Sequence, residues 1–167
     1  MVAAPDRPAS GDCPMICGAE AHATAADQRF MTYARHQAAK SKDPCKQVGA
    51  VVVGPLGEIR AIGHNRLPGD RDCPDTYADK RRKRERIVHA EVVAITSAAR
   101  AGVALDGGTL FVTHPCCADC ARMLVEAGIV EVVWPEQATF SEHWQESLRE
   151  AEDEFARAGV RVRRMVA

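Results

Sequence analysis

Apolar positions along this chain alternate between two periods. Phe30, Tyr33, Ala34, Gln37 and Ala38 fall on one face of a 3.6-residue repeat, which predicts a helix. That helix should stop before Asp43-Pro44, because proline pushes the residue in front of it out of the α region. Residues 47–53 (QVGAVVV) are a β-branched run closed by Gly54-Pro55, and residues 58–64 resume as a second strand, so a hairpin is predicted. Residues 65–86 are polar, with Gly, Pro and Asp, a dense basic run and no hydrophobic period. Beyond them the pattern predicts a helix over 88–99, a strand over 109–113, a helix over 117–127 and a strand over 129–133. An amphipathic helix over 142–158 and a last strand over 160–164 complete the series. This order specifies an α/β sandwich around a mixed five-stranded sheet, its final strands parallel because helical crossovers join them. Residues 1–24 carry Ala, Pro, Gly and Asp without a period and are expected to be a flexible tail ahead of one domain over 25–167.

Composition narrows the class. At 167 residues, 46% hydrophobic and 27% charged, the chain has the balance of a soluble single domain. A net charge of −1 gives no global basic field for nucleic acid, and aromatic residues are only 5%, few for stacking on bases. No apolar run spans a bilayer, so no membrane partner is expected, and the start lacks the order of a secretory signal; the default location is the cytoplasm. The seven cysteines are odd in number, and the tightest group has metal-ligand spacing, which favours thiolates on a metal over disulfides. Cys45 and Cys73 read as free thiols. Cys13, Cys17 and His22 lack an obvious fourth ligand for a second metal, and the flexible-tail reading is preferred for them.

The chemistry concentrates in His89-Ala90-Glu91 and in Cys116-Cys117-Ala118-Asp119-Cys120. Cys117 and Cys120 have C-x-x-C spacing at the start of a predicted helix, where the positive helix end favours thiolates. His89 lies at the start of a different helix, so one zinc ion would pin two helix N-termini together. Three protein ligands leave the fourth tetrahedral position for a water whose pKa falls toward neutrality. Glu91 is informative because a structural zinc has no need of a carboxylate there, whereas hydrolysis must move protons. The spacing of Cys116 to Cys120 suits one ion less well, which makes Cys116 a neighbour of the site. A fourth ligand from His114 or Cys116 would instead close the site and make it structural. H-x-E followed by P-C-x-x-C is the signature of zinc-dependent base deaminases.

At this point the chain resembles the deoxycytidylate (dCMP) deaminase branch of the cytidine deaminase superfamily. The match runs from about Phe30 to Arg164 and includes Ser41-Lys42-Asp43-Pro44, Gln47 to Val53, Gly63-His64-Asn65-Arg66-Leu67-Pro68, Val88-His89-Ala90-Glu91, Ala127-Gly128-Ile129 and Ala158-Gly159-Val160-Arg161-Val162. The resemblance implies a cytidine deaminase-like three-layer α/β/α sandwich and one catalytic Zn2+ per subunit, held by His89, Cys117 and Cys120. It further implies Glu91 as the catalytic acid–base, conversion of dCMP to dUMP with release of ammonia, and a homo-oligomer. It places Asn65 at the sugar and Ala90 along the substrate pocket. Ser41, Lys42 and Arg66 are the candidates for the phosphate end.

Two departures from the family pattern stand out. Cys116 occupies the place of the proline that normally precedes the first metal cysteine, with Pro115 one residue earlier. Val93 replaces the asparagine of H-A-E-x-N-A-I, which keeps the chemistry but leaves open another amino-bearing ring: a nucleoside, a free base or a specialised metabolite. Nucleic-acid editing and a non-catalytic zinc module are the more distant alternatives. The basic run from Lys80 to Arg86 reads as a solvated face, or as a funnel for a phosphorylated substrate or a subunit contact.

Overall fold

A computed structural model describes residues 23–71, 73–136 and 141–166. The tail cysteines Cys13 and Cys17 and His22 lie outside the described residues. The elements in chain order are α1 (Ala25–Ala38), β1 (Gly49–Val53), β2 (Ile59–His64), α2 (Pro74–Ala78), α3 (Lys80–Arg86), α4 (Ala90–Ala101), β3 (Thr109–Val112), α5 (Ala118–Glu126), β4 (Glu131–Pro135), α6 (Glu142–Arg157) and β5 (Arg161–Met165).

Five strands form one sheet in the order β2-β1-β3-β4-β5. β1 pairs antiparallel with both β2 and β3, while β3, β4 and β5 run parallel, as the crossover argument requires. Alternation along the strands divides the core. Val51, Val53, Phe111, Val133 and Met165 face α1, where Phe30, Met31 and Ala34 cover them. Ala50, Val52, Leu110, Val112, Val132 and Trp134 face the opposite side, against residues of α4, α5 and α6 such as Ala94, Leu124 and Phe155. β1 is therefore buried on both faces, which is why it reads as a continuous apolar run instead of an alternating one.

Two glycines set the layer spacing. A Cβ at Gly49 would lie 2.0 Å from the Ala34 carbonyl oxygen of α1, and one at Gly63 would lie 2.2 Å from the Ala90 carbonyl oxygen of α4. Gly63 thus lets the first turn of α4, the turn that carries Glu91, lie directly on β2.

The stretch 65–86 is more ordered than its pattern predicts. It contains a 3-10 turn at Pro68–Asp70 and the short helices α2 and α3. α3 begins where the Asp79 carboxylate accepts hydrogen bonds from the amides of Arg81 and Arg82, at 2.9 and 3.1 Å. Helix α4 begins later than its apolar pattern suggests. Val88 forms an isolated antiparallel bridge with Arg66, and His89 is the N-cap.

Candidate active site

Each metal-binding side chain is placed by a helix start. His89 caps α4, held by the backbone bridge in which Arg66 and Val88 exchange two hydrogen bonds, at 3.0 and 2.8 Å. Cys117 caps α5, and Cys120 follows in its first turn. α6 supports this turn from outside, where the Ala118 amide donates to Ser147 Oγ at 3.1 Å. The His89 Nδ1 lies 3.5 Å from Cys117 Sγ and 3.4 Å from Cys120 Sγ. A tetrahedral zinc with Zn–S of about 2.3 Å and Zn–N of about 2.0 Å separates nitrogen from sulfur by about 3.5 Å. The donors therefore fit the ion in kind and in spacing. Among the described residues this is the one group of three or more ligating side chains close enough to share a metal, and neither His114 nor Cys116 joins it. His89, Cys117 and Cys120 would supply three of zinc's four tetrahedral positions.

The three donors polarise one another. A hydrogen bond from Cys120 holds the Cys117 thiol down to about 4 against the effect of burial, with His89 adding to the stabilisation. The same pairing, reinforced by burial, pushes Cys120 up. The hydrogen bond with Cys117 raises His89 against burial.

Glu91 occupies the second position of α4 and is 4% exposed. Burial raises its carboxyl above the usual range, with the nearby His89 charge pulling the other way. Cys116, next to Cys117, is fully buried, and burial pushes its thiol well up.

The His114 ring packs edge-on against Trp144, with centroids 4.9 Å apart. Lys46 Nζ contacts His114 Nε2 and lies 5.9 Å from the centre of the Trp144 ring. Burial lowers His114 to about 4, so its imidazole is neutral at physiological pH. Lys46, His114 and Trp144 escaped sequence reasoning as a group, since the first lies in the x-x of the S-K-D-P-x-x-Q run and the last on a helix recognised only by its amphipathic period.

The remaining candidates divide. Asn65 is buried and spans the turn that follows α1: its Oδ1 accepts from the Val48 amide at 2.8 Å and its Nδ2 donates to the Lys46 carbonyl at 2.8 Å. Ser41 is buried and donates to the Asn65 carbonyl at 2.7 Å. Lys42 is exposed, its Nζ donating to the Asp70 carbonyl at 3.0 Å. Arg66 is half-buried next to the His89 cap. Ala90 is fully buried, its carbonyl packed on Gly63. Asp43, read in the sequence as a helix stop and as part of the Ser41-Lys42-Asp43-Pro44 run, is the hub of this turn. Its carboxylate accepts from the amides of Cys45 and Lys46, at 2.9 and 3.1 Å, and is bridged by Lys83 of α3 at 2.6 Å.

An α/β/α sandwich that holds two thiols and one imidazole on facing helix starts, with a buried carboxyl beside them, defines a zinc-dependent hydrolytic deaminase. Residues 24–136 match the model of the cytidine and deoxycytidylate deaminase zinc-binding region, and the chain belongs to that family. It is 38% identical over 138 residues to the deaminase of the luxG 3' region of Aliivibrio fischeri, covering 81% of this chain and 90% of that one. It is 34% identical over 143 residues to the deoxycytidylate deaminase of Mus musculus, covering 81% of this chain and 76% of that one. The structure also resembles the dCMP deaminase of the cyanophage S-TIM5 in complex with dCMP and dUMP, with a TM-score of 0.66 and 26% identity, over 83% of this chain and 95% of that one.

Proposed function

We propose that this protein deaminates dCMP to dUMP with release of ammonia. The observation that carries the reading is the buried Glu91 carboxyl set beside His89, Cys117 and Cys120. The choice of substrate is supported by the mouse relative named for deoxycytidylate and by the phage structure that holds dCMP and dUMP. When bound, zinc supplies a water acidic enough to serve as nucleophile at cellular pH. Glu91 would take one proton from the attacking water and deliver it to ring N3 as the bond to C4 forms, then take the second proton, from the new C4 hydroxyl, and pass it to the amine as the C4–N bond breaks and ammonia leaves. Burial raises the proton affinity of Glu91, the direction a proton carrier requires.

On this reading Asn65 and Ser41 hold the turn against which the sugar lies, and Ala90 lines the ring pocket. Lys42 and Arg66 supply positive charge at the phosphate end, without which a dianionic substrate gains little over its nucleoside. The enzyme acts on free nucleotide in the cytoplasm and, by its family resemblance, as a homo-oligomer.

A second reading keeps the chemistry and changes the ring. Val93 is 4% exposed and stands one helical turn after His89, at the place of the asparagine in the family pattern, so its side chain offers no hydrogen bond there. Loss of ultraviolet absorbance by the zinc-loaded protein with dCMP, run beside deoxycytidine and a panel of other amino-bearing rings, separates the two. Turnover of dCMP well above deoxycytidine is expected. Preferential turnover of another ring would overturn the dCMP assignment. Glu91→Gln is expected to keep zinc and fold while kcat falls by about 10^2–10^4. Undiminished turnover in that variant would sink the mechanism.

A further inference from the structure

A ring of contacts joins Lys46 to the metal donors from both sides. On one side, Asn65 Nδ2 donates to the Lys46 carbonyl at 2.8 Å, and the backbone of the next residue, Arg66, is bridged to Val88, which precedes His89. His89 Nδ1 lies 3.5 Å from Cys117 Sγ. On the other side, His114, three residues before Cys117, returns to Lys46 through the contact of its Nε2 with Lys46 Nζ. Lys46 therefore stands opposite His89 and Cys117 in this ring. Its ammonium keeps unspent donors. His114 Nδ1 lies 3.0 Å from the Pro115 carbonyl, which can only accept, so Nε2 is the ring's acceptor and takes one N–H of Lys46. The remaining N–H groups have neither a hydrogen-bond partner nor a carboxylate among the described residues, since Asp43, the acid of this turn, is paired with Lys83. The Trp144 ring, centred 5.9 Å from Lys46 Nζ, adds another such donor: its Nε1 is buried with no hydrogen-bond partner among the described residues.

We infer that Lys46 is a specificity-determining residue of this site: its unspent N–H groups, with the Trp144 indole N–H beside them, bind the 5′-phosphate of the nucleotide and so favour dCMP over deoxycytidine. The inference deepens the dCMP reading and rests on it for the identity of the substrate, but not for the anion contact. Charge-assisted hydrogen bonds to phosphate are among the strong ones. Lys46 is also held in advance, its amide by Asp43 at 3.1 Å, its carbonyl by Asn65, and its ammonium against the rings of His114 and Trp144. A cation so placed gives up little freedom when a phosphate arrives. Glutamine at this position removes the charge in a side chain of similar reach, whereas arginine keeps it.

The test uses the zinc-loaded full-length protein in two measurements. In steady-state kinetics Lys46→Gln is expected to retain stoichiometric zinc and to lower kcat/KM for dCMP about 10–100-fold, while kcat/KM for deoxycytidine changes less than about twofold and Lys46→Arg recovers most of the loss. Equal losses on the two substrates, an unchanged value for dCMP, or an arginine variant no better than glutamine would overturn the role in specificity. In titration calorimetry inorganic phosphate, a probe that carries no ring, is expected to bind the wild-type protein and to bind Lys46→Gln about tenfold or more weakly. Absence of binding to wild type, or equal affinity in the two proteins, would overturn the anion contact. Failure of the wild-type protein to turn over dCMP would count against the proposed substrate alone, since the phosphate titration still decides the contact.

Discussion

The hydrogen bond with Cys117 and burial push the Cys120 thiol up, while Cys117 is held down to about 4. Zinc ligation by both would require Cys120 to lose its proton, and because the donors sit on two helix starts, metal affinity would become folding free energy. Cys120→Ser and Cys117→Ser are therefore expected to lose stoichiometric zinc and to lower Tm, measurable by metal analysis and thermal unfolding. Chelation of the wild-type protein should produce a similar drop. A variant that retained one zinc per chain at wild-type Tm would contradict the assignment of that cysteine. The grouping of His89, Cys117 and Cys120 was legible in the sequence because metal geometry restricts donor spacing tightly. The grouping of Lys46, His114 and Trp144 was not legible, because it joins residues far apart in the chain that no local pattern pairs.

Helix α3 illustrates the limit at the scale of elements. β1 and β2, α1, and the β3–α5–β4–α6–β5 series follow from hydrophobic period, since each buries a face against the sheet. α3 has no apolar residue to bury, and its seven residues are held by the Asp79 cap and by a single tertiary ion pair. Most of its charges are solvated: the Arg81 side chain is 83% exposed, whereas Lys83 is 18% exposed and bridges Asp43, itself 1% exposed. Burial opposes the charged form of Asp43, yet the hydrogen bonds from Lys83 and from the Cys45 and Lys46 amides hold its carboxyl below the usual range. Lys83→Ala would leave that carboxylate buried with backbone and Asn65 donors alone. It is expected to cost about 1–3 kcal/mol and to accelerate hydrogen exchange in α3 while α4 stays protected. Unchanged exchange in α3 would mean that the pair does not hold the helix.

Across the whole molecule, the first helix and the last strand are joined by one charged cluster. Arg163 of β5 donates to both carboxylate oxygens of Asp27 in α1, at 2.8 and 3.0 Å, and to Glu131 of β4 at 2.8 Å. Asp27 also completes the cap of α1, accepting from the Thr24 amide and hydroxyl at 2.9 and 2.8 Å. Helical period in 30–38 and strand pattern in 160–164 revealed both ends of this link but not the link itself, since the partners stand 136 residues apart and no local pattern pairs them. The bidentate bond from Arg163 depresses the Asp27 carboxyl far below the usual carboxylate range, overcoming burial. A depressed carboxylate binds fewer protons folded than unfolded, so its stabilisation is complete above the unfolded value near 3.8 and is lost as pH falls toward the folded one. Asp27→Asn is therefore expected to cost about 3 kcal/mol at neutral pH, where it leaves Arg163 with Glu131 alone. As pH falls from about 5 to below about 3, the wild-type protein should lose stability more steeply than Asp27→Asn, and the two denaturant midpoints should converge. Both proteins shed metal alike in acid, so the difference between their curves isolates this carboxylate; parallel curves would show that the cluster contributes no pH-dependent stability.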